Sequence, residues 1–157
     1  MPRIDLDALP RSNATGYPAP FDAAVAGRWW ARLAKPGGLT QMGASHITLE
    51  PGAWSSQRHW HEGQDELLVM LAGEAVLVED EGRTLLRAGD ICAWPAGAPN
   101  GHCLINESNA PCTFVAISAG PERGGCYSDI DMAWDERGFV HKDGTPYPGA
   151  RPASATS

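Results

Sequence analysis

His59-Trp60-His61-Glu62-Gly63-Gln64-Asp65-Glu66, running on into Leu67-Leu68-Val69-Met70-Leu71-Ala72-Gly73, is the stretch on which the reading of this chain turns. Side chains alternate along a strand, so two histidines two residues apart aim at the same face if the segment is extended. Gly63 lets the chain reverse, and Glu66 then brings a carboxylate back beside the imidazole pair at the start of the next strand. Asp65, one position earlier, is the alternative carboxylate, although the following strand begins more naturally with Glu66 inward.

Outward from this stretch, short apolar runs separated by turn signals extend from Leu39 to about Ser118, the pattern of a sandwich or barrel. Strands are expected near residues 40–50, 53–60, 65–72, 74–79, 83–87, 91–94, 101–106 and 112–119. Pro51-Gly52, Gly73, Glu81-Gly82, Ala88-Gly89-Asp90 and Pro95-Ala96-Gly97 supply the reversals between them. Leu67–Leu71 and Phe114–Ile117 are apolar at consecutive positions, which predicts burial on both faces, one inward and one against another layer or subunit.

The flanks read differently. Residues 1–22 are polar, proline-rich and aperiodic, an arm; Phe21–Leu33 is expected as one short helix ended by Lys35-Pro36-Gly37-Gly38. Three segments follow: an arm and short helix over 1–38, a β-barrel over 39–119, and an extension with a loose tail over 120–157, fraying from about Pro148.

Composition sets limits on partners. The 157 residues suit one domain; 43% are hydrophobic and 20% charged, and 18 glycines and 13 prolines favour an all-β fold rich in turns. A formal charge of -7, with no Lys/Arg cluster visible in the sequence, argues against nucleic acid. No stretch has the basic start and apolar run of a signal peptide or the length of a membrane span, so a cytoplasmic protein with no membrane partner is expected. Cys92, Cys103, Cys112 and Cys126 have no CxxC pairing and are read as thiols in or near the core.

His102, at the start of another expected strand, is the third imidazole candidate. Three neutral imidazoles and a carboxylate make a nitrogen and oxygen site for one divalent transition metal, Fe, Mn, Zn or Ni, rather than Ca or Mg. The metal-ligand candidates are therefore His59, His61, Glu66 and His102; His46 and His141 stay outside as ordinary hydrogen-bonded histidines. Arg58 alternates away from the pair and reads as a surface or dimer contact, and Cys103 should face away from His102. Asn106 reads as a loop hydrogen-bonder, while Trp54, Trp94 and Phe114 could line an apolar pocket or belong to the core.

These segments resemble the two motifs of the cupin superfamily. The first is matched by Gly52, His59-x-His61, Glu66 and Gly73, with one residue more than usual between Gly52 and His59. The second is matched by Gly89, Pro95-x-Gly97, and His102 with Asn106 four positions on. Asn100 occupies the usual place of the second-motif histidine, so the loop carries a two-residue insertion. The resemblance implies a double-stranded β-helix, or jelly-roll, barrel with a short N-terminal helical segment and irregular termini.

Residues Tyr127-Ser128-Asp129-Ile130-Asp131 and His141-Lys142-Asp143-Gly144-Thr145 are similar to those of bacterial single-domain cupins, some labelled sugar-phosphate isomerase. The expected function is a metal-dependent enzyme on a small molecule, of oxidoreductase or dioxygenase type. The alternatives are a sugar or sugar-phosphate isomerase and a non-catalytic ligand-binding or sensing module. No catalytic residue is assigned. A homodimer formed by sheet packing or arm exchange is expected from the doubly apolar strands.

Overall fold

The computed structural model describes residues 3–148; the expected tail over 149–157 lies outside the described residues. Among the described residues twelve strands follow two single 3-10 turns; the central ones lie close to where alternation and turn chemistry put them, except that the strand expected over 53–60 is reduced to His59–His61, residues 55–58 being irregular. The central strands are β2 (Met42–Leu49), β3 (His59–His61), β4 (Asp65–Ala72), β5 (Glu74–Glu79), β6 (Gly82–Arg87), β7 (Ile91–Trp94), β8 (Cys103–Ile105) and β9 (Cys112–Ala119). The flanks add β1 (Arg28–Arg32), β10 (Gly125–Tyr127), β11 (Ala133–Asp135) and β12 (Gly138–Val140).

They form a five-stranded sheet in the order β1-β2-β9-β4-β7, a four-stranded sheet β12-β11-β10-β3 and a three-stranded sheet β6-β5-β8. All the pairings are antiparallel. Leu49, Leu68, Met70, Cys112 and Phe114 from the large sheet meet Ala75, Leu77, Leu86 and Leu104 from the small one, and this is the main core. Period-two alternation decides membership: Leu68 and Met70 are buried, while Leu67 and Leu71 between and beyond them are 37% and 46% exposed. Leu67 and Leu71 on the outward face of β4 are thus left open by the described residues.

Gly73, after a register shift on β4, is held at φ +70°, and a Cβ there would press on the backbone of Pro111 and Cys112. Only glycine accepts both the left-handed backbone and that close approach.

The Phe21–Leu33 segment departs from the expected helix. It has a single 3-10 turn at Ala23–Val25 and then becomes strand β1, paired with β2 from Arg28↔Leu49 to Arg32↔Ser45. Arg28-Trp29-Trp30-Ala31-Arg32 carries two tryptophans, which suit a pleated surface, and pairing with a full eight-residue strand outweighs a weak local helix signal. After Gly120 the chain goes on to build β10, β11 and β12, strands absent from the sequence expectation. Their second core, Tyr127, Met132 and Trp134, is covered by Tyr17 and Phe21 of the N-terminal arm, so the two flanks close on each other.

Candidate metal centre

β3 sits between two partners. On one side it pairs with β10, His59 opposite Tyr127 and His61 opposite Gly125. On the other, His59 and His102 exchange backbone hydrogen bonds, His102 N donating to His59 O at 2.9 Å and His59 N to His102 O at 3.2 Å. That bridge sets the two imidazoles side by side, ring centroids 5.4 Å apart. The Pro95-Ala96-Gly97 turn is tied to both neighbouring strands: Gly97 N donates to His61 O at 2.8 Å and Ala96 N to the Asp65 carboxylate at 2.8 Å. Asp65 therefore serves the turn, on the exposed face, and Glu66 is the carboxylate that points inward.

One ligand atom from each of His59, His61 and Glu66 lies within 4.8 Å of the others. His102 joins through Glu66, its Nε2 being 2.8 Å from Glu66 Oε2, while His61 Nε2 is 3.7 Å from the same oxygen. All four residues named from the sequence are brought together, with three in the tight group and His102 adjoining it. Of these three, His102 lies deepest, its side chain 6% exposed against 16% for His61 and 19% for Glu66, so His61 and Glu66 are the more open to solvent.

The chemistry of the donor set fits a transition metal. His59 Nδ1–H donates to the Gln57 carbonyl at 3.0 Å, which leaves Nε2 with its lone pair toward the cluster. Burial pushes the His59 pKa down to about 3, so this ring is neutral, as a ligand must be. For Glu66 burial pushes the pKa up, but the hydrogen bond from His102 and the surrounding imidazoles outweigh it and hold the carboxyl at about 2, ionised. His61 Nδ1 is buried with no hydrogen-bond partner among the described residues. An unpaired buried ring nitrogen is costly in a protein interior, and binding to a metal is one way to remove that cost.

A second layer holds these rings in place. Trp94, opposite Glu66 in the β4–β7 register, stacks on His102. Its Nε1–H donates to Glu79 Oε1 at 2.7 Å, and Asn100 Nδ2 donates to the same oxygen at 3.0 Å. Asn100, in the usual place of the second-motif histidine, thus braces the loop that presents His102. Trp94 is a wall of the site; Phe114 is core. Trp134 packs edge-on against both His59 and His61, centroids 5.6 and 5.1 Å away, and Tyr127 lies 5.7 Å from His59.

Sequence reasoning missed Trp134 and Tyr127, which join the site only through the long-range pairing of β10 with β3. Outside the site, Arg58 makes a two-pronged contact with Asp129 and a third bond to Asp80, and His141 pairs with Asp131. Cys103 is buried, its thiol pushed up to about 12 by burial, and Asn106 bonds Leu49 O, Ala110 O and Ser108 within its loop. No helix among the described residues is long and apolar enough to cross a membrane.

Comparison with known proteins agrees with this architecture. Residues 45–118 match the Cupin domain family model. The structure superposes on that of a Silicibacter pomeroyi protein of the cupin superfamily, described as a sugar phosphate isomerase, with a TM-score of 0.87 and 42% identity, covering 92% of this chain and 96% of that one. The polyketide cyclase RemF of Streptomyces resistomycificus has a TM-score of 0.67 at 17% identity over 83% of this chain and 87% of its own, a likeness of fold alone. An oxalate-binding protein of Thermotoga maritima is 32% identical over 73 residues, 46% of this chain and 58% of that protein, so the match spans little more than half of that relative. The motif residues, the sheet order and the match over nearly the full length of the Silicibacter protein lead to one conclusion: this chain belongs to the cupin superfamily.

Proposed function

We propose that the chain is a metal-dependent enzyme acting on a small polar molecule, with one divalent transition metal held by His59, His61, Glu66 and His102. The observation that carries this reading is the convergence of three imidazoles on one ionised, largely buried carboxylate, with the His59 lone pair free toward the cluster. A metal bound there supplies Lewis-acid or redox chemistry to a ligand's oxygen atoms. The chain's own part is to hold the His59 ring neutral, to keep Glu66 ionised and to wall the site with Trp94 and Trp134.

Among reaction types, isomerisation of a sugar or sugar phosphate is favoured by the 42% identity to the Silicibacter protein so described. Oxidation of the dioxygenase type is the other enzymatic reading, and storage or sensing of a ligand the non-catalytic one. The test reconstitutes the protein with Fe(II), Mn(II), Zn(II) or Ni(II) and follows aldose and ketose phosphates by NMR and oxygen uptake with small organic acids and phenols. Turnover that is lost in His61→Ala supports the enzyme; ligand binding without turnover under every metal supports the binding module.

Two further parts of the reading concern the whole molecule. Leu67, Leu71 and Ile91 are exposed on the outward face of the five-stranded sheet, Ile91 by 65%, and a second copy packed on that face would form a homodimer. Cytoplasmic residence rests on the composition and on the four free cysteines.

A further inference from the structure

Arg28, Arg32 and Lys35 lie in one short stretch of sequence, and folding sets them along two adjoining cavities. Arg28, Trp30 and Arg32 alternate along β1 and so share a face, the one that also carries Ser45 and Ile47 of β2. With Ala14 of the arm and Ser55 they line a cavity of about 250 Å³. A neighbouring cavity of about 330 Å³ shares Trp30 and Arg32 and adds Pro10, Lys35 and Pro36. Neither lining contains a carboxylate, although the chain carries 19 acidic residues against 12 basic ones.

The two guanidinium groups are short of partners. The arginines in ion pairs among the described residues are Arg58, Arg83, Arg87 and Arg137, and Arg28 and Arg32 are not among them. Arg28 Nη1 donates to Ser55 O at 2.7 Å, but its Nε is buried without a hydrogen-bond partner among the described residues. Arg32 lies over the Trp30 ring, 4.8 Å from its centroid, an arrangement that orients the group without using its in-plane donors, which make no hydrogen bond among the described residues. Burial pushes both guanidinium pKa values down, for Arg28 against a smaller opposing pull from Tyr17 and Tyr127. An arginine fork matches the paired oxygens of a carboxylate or phosphate, and such charge-assisted bonds are the strong ones.

We propose that the cavity between Arg28, Trp30 and Arg32 is an oxyanion-binding site that takes the carboxylate or phosphate group of a small organic ligand. Residues two apart on one strand face lie about 6.6 Å apart, so the Cα atoms of the two arginines stand about 13 Å apart, and both residues line the cavity. The lining includes none of the metal-ligand candidates, so anion binding independent of the metal is expected.

The test is calorimetric titration of the full chain with inorganic phosphate and, separately, with acetate, against chloride at equal ionic strength. It is run on the wild type before and after chelator, and on Arg28→Gln, Arg32→Gln and Arg28→Lys. Saturable binding of either anion is expected, unchanged by chelator and weakened about tenfold or more in each glutamine variant, as the loss of charge-assisted bonds implies. Phosphate binding without acetate binding assigns a phosphate ligand, and the reverse a carboxylate. Arg32→Gln, on the more open side chain, decides the matter if Arg28→Gln fails to fold, and thermal melting identifies that failure. Absence of saturable binding, or equal affinity in the wild type and Arg32→Gln, overturns the proposal. Binding abolished by chelator overturns it too, because the anion would then sit on the metal.

Discussion

The indole of Trp94 lies flat on the imidazole of His102, ring centroids 3.8 Å apart and planes 7° from parallel. The stack fixes a histidine that reaches the site from a loop two residues longer than the motif usually has. Because Glu79 anchors the indole in turn, the orientation of His102 is set by a chain of contacts from β5 through β7.

Trp94→Ala should therefore loosen His102 and weaken metal binding by about tenfold to a hundredfold, the usual effect of losing a group that orients a ligand. Trp94→Phe, which keeps a ring but not the bond to Glu79, should fall between the two. Competition against a chromophoric chelator measures this, and equal affinities in all three proteins would remove Trp94 from the site.

Gly125→Ala should destabilise the protein. A Cβ at that position, opposite His61, would collide with the Trp134 ring and the Trp60 carbonyl. Overpacking of this kind costs about 1–3 kcal/mol, so a lowered melting temperature together with weaker metal retention is expected. An unchanged melting curve would mean that β10 does not press on β3 as described.

The chelator-treated protein should lose stability as pH falls. His59 has a folded pKa of about 3, below its ordinary value of 6.5, so the unfolded chain binds the extra proton and stability drops between these values. Glu66 has a folded pKa of about 2 against 4.5, so its contribution is present above 4.5 and is lost as pH falls toward 2. Both act in the same direction. Melting temperature against pH should fall below about 6.5 in the wild type and fall less steeply in His59→Gln; parallel curves would contradict the burial of His59.

Ile91→Glu combined with Leu71→Glu places charge on the outward face of the large sheet, away from the metal-ligand candidates. Light scattering at micromolar concentration should give a dimer for the wild type and a monomer for the double variant. A monomeric wild type would end the homodimer reading.

Most central strands and the clustering of His59, His61, Glu66 and His102 were legible because their signals are local: histidines at period two, an alternating Leu-rich strand, and glycines at the reversals. Glu66 rather than Asp65 followed from strand phase alone, and the structure places Asp65 on the turn at Ala96. What was not legible depends on distant pairing. β10 is a strand because residues 125–127 lie against 59–61, and nothing in Gly125-Cys126-Tyr127 announces it. The same pairing brings Trp134 to the histidines. The Arg28-x-Trp30-x-Arg32 alternation was visible in principle, but two adjacent tryptophans read equally well as a helix face until β2 fixed the phase.

The most direct test of the account is elemental analysis of wild-type protein and His59→Ala, both purified without chelator, with a matched electronic or paramagnetic spectrum. The account predicts near-stoichiometric iron, manganese, zinc or nickel in the wild type and its loss in a folded His59→Ala. Metal-free wild-type protein that takes up none of these ions on reconstitution, or a variant that retains the full complement, would contradict it.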